Sequence, residues 1–103
     1  MAQFIHDPDA VLDYHFVWGN WLEDGETITS HTITVSSSSL VVDSSEIVAT
    51  QIAVGGVTYD PSTVVKVWLS GGTAGRRYSV TCHIVTTDNR QDDRSITISC
   101  EER

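Results

Sequence analysis

The groups in this chain that could hold a metal are four histidines, His6, His15, His31 and His83, and an acidic series at Asp7, Asp9 and Asp13. Zinc sites draw their ligands from paired spacings such as His-x-His or His-x-x-x-His. None occurs here, and His15, His31 and His83 fall on the polar parity of three different strands, which sends them toward solvent. The acids offer oxygen ligands at loop spacing but lack the central glycine and terminal glutamate of an EF-hand loop. They read as a solvated turn, with weak calcium binding near Asp7, Asp9 and Asp13 as the alternative. Asp92-Asp93 and Glu23-Asp24 read as charged turn tips. Cys82 and Cys100 are too few for a disulfide scaffold and lack metal-ligand spacing, so they read as buried, reduced thiols on neighbouring strands, close enough to leave pairing open. Residue order cannot define a Ser-His-Asp triad, which is a matter of geometry. No nucleophile elbow or phosphate loop is present, and Gly71-Gly72-Thr73-Ala74-Gly75 joins two strands without preceding a helix. The expectation is a protein without catalytic residues, metal or cofactor.

Aromatic side chains carry the stronger signal. Trp18 and Trp21 flank a turn, and Trp68 lies on the parity opposite Val65, Val67 and Leu69. Periodicity therefore sends Trp68 outward or to a sheet edge, where it could serve a partner or a sugar ring. The alternative is that it packs under the first strand or under the Trp21 loop.

Fourteen Asp and Glu against six Lys and Arg give a formal charge of −8. Binding to nucleic acid or to an anionic membrane needs a basic stripe, so both are disfavoured as partners. No apolar run approaches the length of a transmembrane helix, and the first residues lack the basic and apolar regions of a signal peptide. Synthesis in the cytoplasm follows as the expectation, with export only as part of a particle.

The elements that must position these residues are strands. β-branched residues dominate the apolar set, and alternation predicts strands over 11–18, 26–35 (with a bulge near Ser30-His31), 40–42, 47–54, 64–69, 78–86 and 95–100. Asp43-Ser44-Ser45 reads as a turn, and Gly55-Gly56 opens a connection closed by Asp60-Pro61-Ser62. Residues 1–10 read as an N-terminal docking arm ahead of a single domain over 11–103, because Asp7-Pro8-Asp9 breaks regular structure. Phe4 and Ile5 are then apolar side chains with no strand of their own, candidates for burial on a partner.

One stretch fixes the architecture further. Val67 to Leu69, the glycine-rich turn, Tyr78 and the alternation through Val80 and Cys82 match the corner between the fifth and sixth strands of an immunoglobulin-like sandwich. There a tyrosine hydroxyl reaches back to the backbone a few residues upstream. Gly75, Tyr78 and Val80 are the structural corner residues. The predicted fold class is all-β, an immunoglobulin-like antiparallel β-sandwich of about seven strands.

The ordered series Asp7-Pro8-Asp9-Ala10-Val11-Leu12-Asp13-Tyr14, Trp21-Leu22-Glu23-Asp24-Gly25-Glu26-Thr27-Ile28, and Trp68 to Gly75 followed by Tyr78-Ser79-Val80-Thr81 resembles a family of small tailed-bacteriophage proteins. These are fibre-like or head-decoration virion proteins. The resemblance covers nearly the whole chain except Ser36 to Asp60, and its motifs are turn and core residues. It implies a non-enzymatic virion structural protein (capsid decoration, head fibre, or neck or tail component) carried in many symmetric copies and contacting other virion proteins. Phe4, Ile5 and Trp68 would make those contacts. The competing reading is a carbohydrate- or host-surface-binding β-sandwich that uses Trp68 or the Trp18/Trp21 pair as stacking platforms.

Overall fold

The computed structural model describes residues 2–6 and 10–101. Among them the chain forms strands only: β1 (Ala2–His6), β2 (Val11–Val17), β3 (Ile28–Val35), β4 (Leu40–Ile47), β5 (Ile52–Val54), β6 (Val57–Tyr59), β7 (Val64–Gly71), β8 (Arg77–Thr86) and β9 (Gln91–Cys100). Two sheets form the sandwich, a four-stranded one in the order β1-β9-β8-β3 and a three-stranded one in the order β2-β7-β4, with β5-β6 as a separate hairpin. Strict alternation fills the space between them. Val65, Val67 and Leu69 of β7 face Tyr78, Val80, Cys82 and Ile84 of β8, and Ile96, Ile98 and Cys100 of β9 complete that wall. Tyr14, Phe16 and Trp18 close the core from β2 and its exit. Leu12 shares their parity yet is 42% exposed.

Several elements differ from the sequence expectation. Strand β4 runs without interruption through Asp43-Ser44-Ser45, and its register against β7 slips between Val42 and Ser44. One extra residue is absorbed as a bulge, so a polar triplet that looks like a turn keeps its ladder. The bulge expected in β3 is present, between Ile28 and Ser30. Gly55 and Gly56 adopt φ of +60° and +82° and form a two-residue hairpin turn, so Val57 to Tyr59 is a strand and not part of a connection. Two consecutive left-handed residues match the twist of the flanking strands, which is why paired glycines suit this position. Strand β9 starts at Gln91, so Asp92 and Asp93 lie within a strand and not at a turn tip. Asp92 accepts a hydrogen bond from the Trp18 indole at 3.0 Å, and Asp93 meets His83. The backbone of Ala2 to His6, read as part of an arm, pairs in parallel with Ile96 to Cys100. The open edge of β9 satisfies its N–H and C=O groups, a contact that local sequence pattern does not announce.

Cys82 and Cys100 are both buried and free. Cys82 pairs with Arg94, and Cys100 lies six residues further along β9. The two are roughly 20 Å apart along the strand, which excludes a disulfide between them. Burial pushes the Cys82 thiol up to about 12, with Asp93 adding to the shift, and burial also raises Cys100.

The corner between β7 and β8 is built on Tyr78, which is 2% exposed. Its hydroxyl accepts the Thr73 N–H at 2.9 Å and meets the Ser39 hydroxyl at 2.7 Å. These contacts, Ser39 foremost, hold the phenol below its ordinary value. The serine-rich link between β3 and β4 is thereby anchored: Ser39 also accepts the Gly72 N–H on its carbonyl at 2.7 Å, and the Ser36 hydroxyl accepts the Ser79 N–H at 3.0 Å. Gly75 sits at φ +85° and donates its N–H to the Cys100 carbonyl at 2.8 Å. Tyr78→Phe leaves the Thr73 amide without its acceptor while preserving shape. We expect a lower urea midpoint and a melting temperature reduced by about 5–10 °C with the β circular-dichroism spectrum retained. An unchanged midpoint would show that the hydroxyl does not hold the corner.

A second anchor ties the turn after β2 to the β8-β9 hairpin. The Glu26 side chain is fully enclosed and accepts hydrogen bonds from Arg90 Nε at 2.9 Å and the Thr86 hydroxyl at 2.6 Å. Arg90 Nη2 bonds the other carboxylate oxygen and the Trp21 carbonyl, and the guanidinium lies 4.0 Å from the Trp21 ring centroid. The Glu26 carboxyl is drawn down to about 2, chiefly by Arg90 and against the opposing pull of burial, with Thr86 and the Glu23 N–H assisting.

Candidate docking face

Pleating that sends Val65, Val67 and Leu69 inward turns Lys66, Trp68 and Ser70 onto the outer face of the three-stranded sheet. The register places Trp68 between Asp13 and Ser44, Lys66 between His15 and Glu46, and Ser70 between Val11 and Val41. Trp68 is therefore the central large side chain of this face, partly buried by its neighbours. Val11 and Val41, one rung away on either flank, are 59% and 46% exposed. Charged groups frame the aromatic centre. Lys66 Nζ stands 3.3 Å from Glu46 Oε1 and 5.9 Å from the Trp68 centroid, and His15 Nε2 lies 3.8 Å from Asp13 Oδ2. An aromatic centre with apolar flanks and a charged rim is the anatomy of a protein contact surface.

The other tryptophans are not available as platforms. Trp18 is fully buried, with Arg94 5.2 Å from its centroid, and Trp21 is covered by Arg90. The Trp18/Trp21 stacking pair expected under the carbohydrate reading is thus absent as a surface. Phe4 and Ile5 contribute backbone to β1 opposite Ile98 and Ser99, while their side chains lie outside what is described. Asp7 and Asp9 also lie outside the described residues.

The histidines are dispersed. His15 joins the Trp68 face, His31 Nε2 bonds the Ser45 hydroxyl at 2.8 Å, and the His83 ring contacts Asp93 and Gln91. Among the described residues no cluster of metal-binding side chains forms. A shallow hollow of about 160 Å³ opens beside Glu23, Asp24, Asp60 and Pro61. It is smaller than the roughly 300–1,000 Å³ of ordinary small-molecule sites.

Sequence reasoning missed the Glu26–Arg90 anchor, whose partners are 64 positions apart. The usable signal was parity, because Glu26 shares the inward phase of Ile28, and a carboxylate on that phase requires a buried cationic partner.

No curated protein matches the chain. The family model described as podophage GP4 fiber-tail adaptor protein gp77 matches residues 6–99, nearly the whole length, and the chain belongs to that family of tailed-phage virion proteins.

Proposed function

We propose that this protein is a non-enzymatic adaptor that helps hold the fibre on the phage tail, docking through the Trp68 face of its three-stranded sheet. The observation that carries the reading is the placement of Trp68 between Asp13 and Ser44, one rung from exposed Val11 and Val41, with His15, Lys66 and Glu46 on the rung beyond it. Of the head, neck and tail positions compatible with the sequence, the family description supports the tail. The strand orders β2-β7-β4 and β9-β8-β3 support an immunoglobulin-like connectivity, since they reproduce the B-E-D and G-F-C groupings of that sandwich. The N-terminal segment is the second element of attachment. Its strand β1 is the outermost of its sheet, and Phe4 and Ile5 are the residues we assign to contact with a tail or fibre protein.

Repetition around a tail makes individually modest contacts effectively permanent. Trp68→Ala removes the central side chain from a solvent-facing position. We expect its melting temperature to stay within about 4 °C of wild type while its co-sedimentation with fibreless tails falls at least roughly tenfold. Equal co-sedimentation of the two proteins would remove this face from the account.

A further inference from the structure

We propose that the free edge of β2 is a self-association edge, on which a second copy of this chain adds its own β2 in antiparallel register centred on Tyr14. This inference is independent of the adaptor reading.

The backbone phase of β2 shows which groups are open. The Trp18 N–H donates to the Thr63 carbonyl at 3.0 Å, one step beyond the Val17–Val64 pair. Hydrogen-bonded residues alternate along an antiparallel ladder, so Leu12, Tyr14 and Phe16 direct their N–H and C=O groups toward β7. Val11, Asp13, His15 and Val17 direct theirs away from it. Two further contacts agree with this phase: Val64 gives its carbonyl to Val48 at 2.9 Å, and Arg94 Nη1 donates to the Val17 carbonyl, which leaves Val11, Asp13 and His15 as the open residues among those described.

Exposed edges are ordinarily blunted by bulges, proline or lysine. The opposite edge of this sheet, β4, carries the register slip after Val42. The β2 ladder is unbroken from Val11 to Val17, and the strand contains neither proline nor lysine.

The sequence of β2, Val11-Leu12-Asp13-Tyr14-His15-Phe16-Val17, is symmetric in residue type about Tyr14. Antiparallel pairing on that centre sets Val11 against Val17 of the second copy, Leu12 against Phe16, and Asp13 against His15. Apolar residues meet apolar residues, and each carboxylate meets an imidazole able to donate an N–H. In this register the open groups exchange bonds directly, Asp13 with His15 of the second copy. A slip of one residue pair toward the N-terminus would oppose Asp13 to Asp13, which like charge disfavours. Val11 and Leu12, at 59% and 42% exposure, would lose solvent contact. The paired sheets would also carry two Trp68 faces side by side.

Sedimentation equilibrium of the purified full chain, from roughly 1 μM to 1 mM, tests the proposal. Wild type should show a concentration-dependent monomer–dimer equilibrium. Asp13→Pro removes an N–H that faces away from β7 and has no partner among the described residues, so the fold should persist by circular dichroism while dimerisation weakens at least about tenfold. Asp13→His and His15→Asp singly should each weaken the dimer, and the two together should restore it. A strictly monomeric wild type, or an Asp13→Pro protein that dimerises like wild type, would overturn the proposal. So would a double exchange no better than its single variants.

Discussion

Glu26→Ala should lower the melting temperature by roughly 10–20 °C, because it takes from Arg90 Nε and the Thr86 hydroxyl the enclosed carboxylate that accepts from both. The loss falls at the low end for a broken buried pair because the Arg90 side chain is 36% exposed and water can partly replace the carboxylate. The effect extends beyond the pair, since Arg90 also covers the Trp21 ring and bonds its carbonyl. The turn after β2 and the β8-β9 hairpin therefore loosen together. A pH signature accompanies the loss. The Glu26 carboxyl titrates near 4.5 when unfolded and at about 2 when folded, so its contribution to stability is complete above about 4.5. It disappears as the pH falls from there toward about 2. Melting curves of wild type and Glu26→Gln across that window should converge at the acid end. Parallel curves, offset by the same amount at every pH, would mean the carboxylate's charge is not what stabilises the anchor.

Gly72→Ala should be about as damaging, for a steric reason. Gly72 holds φ at +91°, a region that disfavours a Cβ, and donates its N–H to Ser39. A methyl group there would run into Cys100 Sγ and meet Tyr78 Cε2 at 3.5 Å and Leu40 Cδ1 at 3.6 Å. Backbone strain and overpacking each cost about 1–3 kcal/mol. Denaturant unfolding should therefore show about 2–5 kcal/mol lost. The two causes separate in a double-mutant cycle. Cys100→Ala removes the sulfur, so Gly72→Ala in that background should cost only the backbone part. Additive losses in the cycle would show that the sulfur is not the obstacle.

Legibility followed periodicity. The inward sets of β7, β8 and β9 could be read directly because Val, Ile, Cys and Leu recur at alternate positions between glycine-rich or polar turns. Where polar residues occupied strand positions the reading failed. Asp43 to Ser45 and Asp92 to Asp93 look like turns, yet they are held extended by partners far away in sequence, β7 and β8. The strand Val57 to Tyr59 was legible in principle, since Gly55-Gly56 between two β-prone triplets is a hairpin signal. Strand β1 was not legible, because five residues without alternation gain their strand character only from the open edge of β9. The outward phase of Trp68 followed from β7 alone. Its flanks, Val11 and Val41, became neighbours only through pairing of β2 and β4 with that strand.

The adaptor account is tested most directly by imaging phage particles assembled with and without this chain. Electron micrographs should show that particles lacking it keep filled heads and tails but carry no fibres, and that adding the purified protein restores fibre attachment. Fibres present at normal occupancy on tails that mass spectrometry shows to be free of this chain would contradict the account.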